Sequence, residues 1–132
     1  GVEDALDLAP LNPNIGLASL DIDLDGEVGA LTDGLLTIRY LFGFEGMALT
    51  QGAVGTAADL SDADSIKAQL DVLGFAIDVD NDGEVNALTD GLMIIRHRFG
   101  FRGDSLTTGA IGGAAQRTDP DEISDYIESL IP

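Results

Sequence analysis

Asp21-Ile-Asp-Leu-Asp-Gly-Glu-Val-Gly-Ala-Leu-Thr-Asp33 returns 57 residues later as Asp78-Val-Asp-Asn-Asp-Gly-Glu-Val-Asn-Ala-Leu-Thr-Asp90. Carboxylates at alternate positions of a tightly wound loop converge on one point, and a last carboxylate follows where a helix begins. Ca²⁺ is a hard ion that takes six to eight oxygens at roughly 2.3–2.6 Å, and this pattern supplies such a cage. Gly26 and Gly83 stand where the backbone must reverse, a conformation that a residue without Cβ adopts at no steric cost.

With Asp21 as position 1, the expected ligands of the first loop are Asp21, Asp23 and Asp25 at 1, 3 and 5, then the main-chain carbonyl of Glu27 at 7, then a direct or water-mediated contact at 9. The second loop offers Asp78, Asp80, Asp82, the carbonyl of Glu84, and Asn86. An ordinary loop of this type closes with a carboxylate at 12, but here that position is Thr32 or Thr89, and the acid arrives one residue later as Asp33 or Asp90. The shared insertion implies a bulge that still delivers Asp33 and Asp90 to the ion. The alternative is that these aspartates cap their helices while a threonine oxygen or water completes the shell. Two Ca²⁺ ions are expected, and Ca²⁺ is favoured over Mg²⁺ because Mg²⁺ prefers to keep its waters. Without the ions each loop crowds like charges, so the ion-free chain is expected to loosen or unfold. Asn81 tolerates a left-handed turn better than Leu24, and Asn86 offers an oxygen where Gly29 has none, so the second site is expected to bind more tightly. Val28 and Val85, at position 8, are expected to join the loops by a short antiparallel bridge.

The duplication reaches beyond the loops. From Asp21 to Leu73, 29 of 53 residues recur at the same offset without a gap, which establishes two copies of one supersecondary unit. Residues 1–16, with Pro10 and Pro13, are expected to form an arm or linker, and 17–132 one domain of two repeats, 17–73 and 74–130. In each repeat the loop runs into a helix whose apolar positions are Leu31, Leu35, Ile38 and Phe42, or Leu88, Leu92, Ile95 and Phe99. Gly43 and Gly100 end it, with Phe44 and Phe101 folding back on the last turn. Gly34 and Gly91, near its start, imply the close approach of another backbone. A glycine-rich connector follows, then a second helix capped by Ser61 or Thr118 and striped by Ile66, Leu70 and Leu73, or Ile123, Ile127 and Leu130. The expected fold is all-α: a duplicated EF-hand-like loop-helix-connector-helix unit with pseudo-twofold symmetry and a short β-bridge between the calcium loops.

The net charge of −18, with one lysine and five arginines, makes nucleic acid and anionic membranes poor partners. No apolar run reaches the roughly 18 residues that span a bilayer, and no basic-then-apolar leader is seen, so the chain is expected to be a soluble module of a larger protein. There is no cysteine for a disulfide or thiolate site. His97, the single histidine, lies between Arg96 and Arg98 and is expected on a solvated helix face. One histidine and carboxylates committed to calcium leave no nucleophile-and-base set, so no enzyme activity and no small-molecule substrate are expected. Arg39 and Arg96 match across the copies and are expected to pair with nearby acids.

Tandem Asp-x-Asp-x-Asp-Gly-x-Val loops, each running directly into a helix over about residues 20–43 and 77–100, resemble the duplicated calcium-binding segments of type I dockerins. The resemblance implies a non-catalytic, extracellular or cell-surface module of a larger secreted protein that docks onto a cohesin-like domain when calcium is bound. It implies a partner surface at the start of the exiting helix, here Leu31, Thr32, Leu35 and Arg39 with Leu88, Thr89, Leu92 and Arg96. This chain differs in its longer repeat, its inserted loop residue and its Leu-Thr pairs where dockerins carry a polar pair. Two other readings are a calcium-stabilised structural or anchoring domain without a cohesin partner, and a calcium sensor. The presence of only two methionines, Met47 and Met93, argues against a Met-rich sensor surface.

Overall fold

A computed structural model describes residues 19–55, 58 and 62–131. The expected arm 1–16, the start of the first repeat, and the expected cap Ser61 lie outside the described residues. The regular structure among the described residues is helical. The α-helices are α1 (Leu35–Leu41), α2 (Met47–Thr50), α3 (Ala63–Leu73), α4 (Leu92–Arg98), α5 (Asp104–Thr107) and α6 (Pro120–Ser129).

The inserted loop residue is absorbed in one wide turn ahead of each main helix. Ala30–Gly34 and Ala87–Gly91 form π-helical turns, in which Gly34 N–H donates to Gly29 C=O at 3.0 Å and Gly91 N–H to Asn86 C=O at 3.1 Å. A π-turn holds one more residue than an α-turn, so the bulge expected from the sequence takes this form. It also corrects the expected apolar stripe. One extra residue rotates what precedes it by about 100° relative to the helix that follows. Leu31 and Leu88 therefore point to solvent, at 61% and 62% exposure, while Leu36, Met93 and Ile94 take the core positions. Phe42 and Phe99, at the helix ends, are also exposed.

Both main helices stop as the sequence dictates. Gly43 (φ 92°) and Gly100 (φ 99°) are left-handed, Phe44 N–H donates to Arg39 C=O, and Phe101 N–H donates to Arg96 C=O, each at 3.0 Å. That is the six-to-one bond of a Schellman stop. Each is followed by a single turn, α2 or α5, and then by the connector to α3 or α6. The caps of these last helices differ from expectation. Asp62 accepts from Ser65 N–H, and Asp119 rather than Thr118 accepts from Glu122 N–H. A carboxylate both accepts the orphan N–H and faces the positive end of the helix dipole, so it displaces a neutral threonine from the role.

One cluster of buried side chains draws on both repeats, including Leu20, Leu36, Ile66, Leu70, Met93, Leu106, Ile123 and Ile127. Burying each such aliphatic side chain is worth about 1.5–3 kcal/mol over leaving it in water. The stripes expected for α3 and α6 are all in this cluster. The glycines that end the two π-turns are sites of close approach: Gly34 lies against Ile95 of α4, and Gly91 against Ile38 of α1. Leu20 N–H donates to Leu130 C=O at 2.8 Å, which brings the end of the last helix to the start of the first loop.

The β-bridge expected at Val28 and Val85 is not seen among the described residues. The Val28 carbonyl instead accepts from Arg98 Nε at 2.9 Å. No described helix is long and apolar enough to cross a membrane.

Candidate metal centre

Each loop gathers four carboxylates. Asp21, Asp23, Asp25 and Asp33 present oxygens that all lie within 4.8 Å of one another, and so do Asp78, Asp80, Asp82 and Asp90. Asp21, Asp23, Asp33, Asp78, Asp80 and Asp90 are buried. At such separations two ionised carboxylates repel by about 3 kcal/mol in an effective dielectric near 20, so the sets are held together by the backbone around them.

Asp21 Oδ1 and Oδ2 accept from the N–H groups of Asp25 (3.2 Å) and Gly26 (3.0 Å), winding the loop about its first carboxylate. Asp78 does the same with Asp82 and Gly83. The winding takes Leu24 to φ 55° and Asn81 to φ 54°, both left-handed. Asp33, projected back by its π-turn, ties the two ends of the first loop: Oδ1 accepts from Ile22 N–H at 2.6 Å and Oδ2 from Gly29 N–H at 3.0 Å. Asp90 takes Val79 N–H at 2.7 Å and Asn86 N–H at 2.9 Å. Thr32 and Thr89 hydroxyls donate to the adjacent Asp33 and Asp90 Oδ2 at 3.2 Å.

Burial, then the charge of Asp23, pushes the Asp33 carboxyl up to about 7. Burial, then the charges of Asp80 and Asp78, pushes Asp90 up to about 6. Burial also raises Asp21, Asp23 and Asp80 above the ordinary carboxylate range. The shared cause is a group of like charges withdrawn from water with too few donors to offset it.

Asp23 Oδ1 and Asp80 Oδ1 are buried and have no hydrogen-bond partner. Orphaned oxygens inside a four-carboxylate group are what a bound cation would satisfy, so the donor sets fit metal ions. The other oxygen of each residue is held from outside the loop: Gly55 N–H donates to Asp23 Oδ2, and Gly112 N–H to Asp80 Oδ2, each at 2.7 Å. Sequence reasoning does not single out these two connector glycines as site residues, although they recur at the repeat offset.

Glu27 and Glu84 are exposed, and their N–H groups donate to Asp25 and Asp82 Oδ1 at 2.9 Å. The Asn86 side chain turns to Glu84 Oε1 at 3.3 Å. Among the expected partner residues, Leu31 and Leu88 are exposed enough to meet another surface, while Leu35 and Leu92 pack partly on the core. Among the described residues, no acid pairs with Arg39 or Arg96. Arg39 Nη1 donates to the carbonyls of Leu49 (3.1 Å) and Gln51 (2.8 Å), and Arg96 Nη1 to those of Leu106 (3.2 Å) and Thr108 (2.8 Å), fastening each helix to its connector. His97 is buried rather than solvated, with Nε2 at 3.5 Å from Glu128 Oε2. Burial and the neighbouring Arg102 and Arg98 lower its pKa.

No family model matches this chain, and neither does any curated protein or solved structure.

Proposed function

We propose that the chain is a non-catalytic module that binds two Ca²⁺ ions and serves a larger secreted protein at the cell surface or outside it. The observation that carries this reading is the pair of buried, unpartnered oxygens, Asp23 Oδ1 and Asp80 Oδ1, within the two carboxylate groups. In the first loop Asp21, Asp23, Asp25 and Asp33 hold the ion, with the Glu27 carbonyl; in the second Asp78, Asp80, Asp82 and Asp90, with the Glu84 carbonyl. The bound ion supplies positive charge where like charges crowd, and so converts a source of repulsion into a brace between the loop and its helix. The two EF-hand-like units face each other about a pseudo-twofold axis, a reading supported by the reciprocal seating of Gly34 on Ile95 and Gly91 on Ile38.

The dockerin-like role is calcium-dependent docking onto a cohesin-like domain, with Leu31 and Leu88 as the exposed apolar contacts. A second reading, a calcium-stiffened structural domain, is favoured by the commitment of Arg39 and Arg96 to carbonyls of their own connectors. That leaves less of the expected partner surface available.

Isothermal titration of the EDTA-treated, desalted chain with Ca²⁺, alongside circular dichroism melts in EDTA, Ca²⁺ and Mg²⁺, tests the metal reading. Two ions bound per chain and a higher Tm in Ca²⁺ than in Mg²⁺ are expected; no uptake and no shift would overturn it. Calcium-dependent capture by cohesin domains, lost in a Leu31→Asp/Leu88→Asp variant, separates docking from the structural role.

A further inference from the structure

We propose that the two glycine connectors are the third wall of the metal sites: Gly55 and Gly112 orient the carboxylates that face the ions, and ion binding and connector docking reinforce each other. This rests on the calcium reading above. Gly55 is 32 residues from Asp23 along the chain, yet its N–H reaches Asp23 Oδ2 at 2.7 Å, while the buried Oδ1 of this member of the carboxylate group has no partner. Gly112 treats Asp80 identically. The amide thus claims one oxygen of each aspartate and reserves the other for the ion.

The glycines are required by proximity. Neither adopts a left-handed backbone, but a Cβ on Gly55 would stand 2.2 Å from Asp25 Oδ2 and 3.2 Å from Asp23 Oδ2. A Cβ on Gly112 would stand 2.2 Å from Asp82 Oδ2 and 3.1 Å from Asp80 Oδ2. The atom first displaced is the free end of a metal-facing carboxylate, so an alanine can be accommodated by the fold while moving a ligand. Each connector is also pinned at its other end, by Arg39 through Leu49 and Gln51, or by Arg96 through Leu106 and Thr108. Loop, helix and connector therefore close a ring. One aspartate meets the connector through Oδ2 and keeps Oδ1 for the ion, so a docked connector that fixes the carboxylate's orientation favours ion binding, and by linkage a bound ion favours the docked connector.

The test is Ca²⁺ titration of the full chain and of Gly55→Ala, Gly112→Ala and Gly113→Ala, with amide exchange of the wild type followed by ¹⁵N NMR. A Cβ added at Gly113 would meet nothing within 4 Å, so this variant controls for the glycine-to-alanine change itself. Gly55→Ala is expected to weaken one of the two sites about 10–100-fold, Gly112→Ala the other, and Gly113→Ala neither. Exchange of the Gly55 and Gly112 amides is expected to slow on Ca²⁺ addition. Unchanged affinity in both variants, or amide exchange indifferent to Ca²⁺, would overturn the proposal while wild-type Ca²⁺ uptake leaves the metal reading standing. No uptake by the wild type would overturn the metal reading and the coupling with it. Should alanine unfold the chain, the wild-type exchange decides alone.

Discussion

Gly34 sits on Ile95 so closely that a Cβ would lie 3.2 Å from Ile95 Cγ1 and 3.5 Å from its Cα, and its duplicate Gly91 meets Ile38 at 3.1 and 3.4 Å. Each main helix packs on the glycine that ends the π-turn ahead of the other. A Val at either position must push against a backbone carbon as well as a side chain, and overpacking of this kind costs about 1–3 kcal/mol. Gly34→Val and Gly91→Val are each expected to lower stability by that amount in urea unfolding at saturating Ca²⁺. Wild-type midpoints would show that the helices part freely.

Stability without metal should fall as pH rises. Asp33 and Asp90, at about 7 and about 6 when folded, hold protons that the unfolded chain releases near pH 4. Between those values the folded state binds more protons, so the stabilisation is complete below about pH 4 and is lost as pH passes 6 and 7. In EDTA, Tm is expected to be lower at pH 8 than at pH 6. His97, held below its ordinary value, acts in the opposite sense, so His97→Gln should steepen the fall. Saturating Ca²⁺ should abolish it by keeping the carboxylates charged. A Tm in EDTA that rises over this range would show that the folded carboxyls titrate as ordinary ones.

The two sites should bind unequally. Leu24 and Asn81 share a left-handed backbone, which asparagine tolerates and leucine resists. The Asn86 side chain is turned to Glu84, so the backbone difference is what remains of the expected inequality. Asp23→Asn, which spares the second loop, is expected to retain the tighter Ca²⁺ site in calorimetry, and Asp80→Asn the weaker one. Equal residual affinities would remove the backbone explanation.

The last helix depends on Asp119. Its carboxylate accepts from Glu122 N–H at 3.1 Å. Asp119→Ala is expected to lower stability by about 1 kcal/mol, with Thr118→Ala near neutral, both read from denaturant midpoints. A larger loss at Thr118 would restore it as the cap.

The aspartate sets were legible because alternate acids around a glycine leave few other uses for that spacing, and because the pattern occurs twice. The stripes of α3 and α6 were legible from their period, and the helix stops from Gly43 and Gly100. The phase of α1 and α4 was not legible at Leu31 and Leu88, because a π-turn changes the angle between residues without changing their spacing along the chain. The burial of His97 was not legible because Glu128, which faces it, comes from another helix.

By itself, then, the sequence determined which carboxylates cluster, that the unit is doubled, and where its main helices end, since these follow from local spacing, backbone freedom and repetition. Only the tertiary structure decided that Gly55 and Gly112 reach Asp23 and Asp80, that Arg39 and Arg96 fasten connectors, and that His97 is buried. Those contacts join residues 10 to 32 positions apart, beyond the reach of local spacing, and their partners are selected by how the helices and connectors pack.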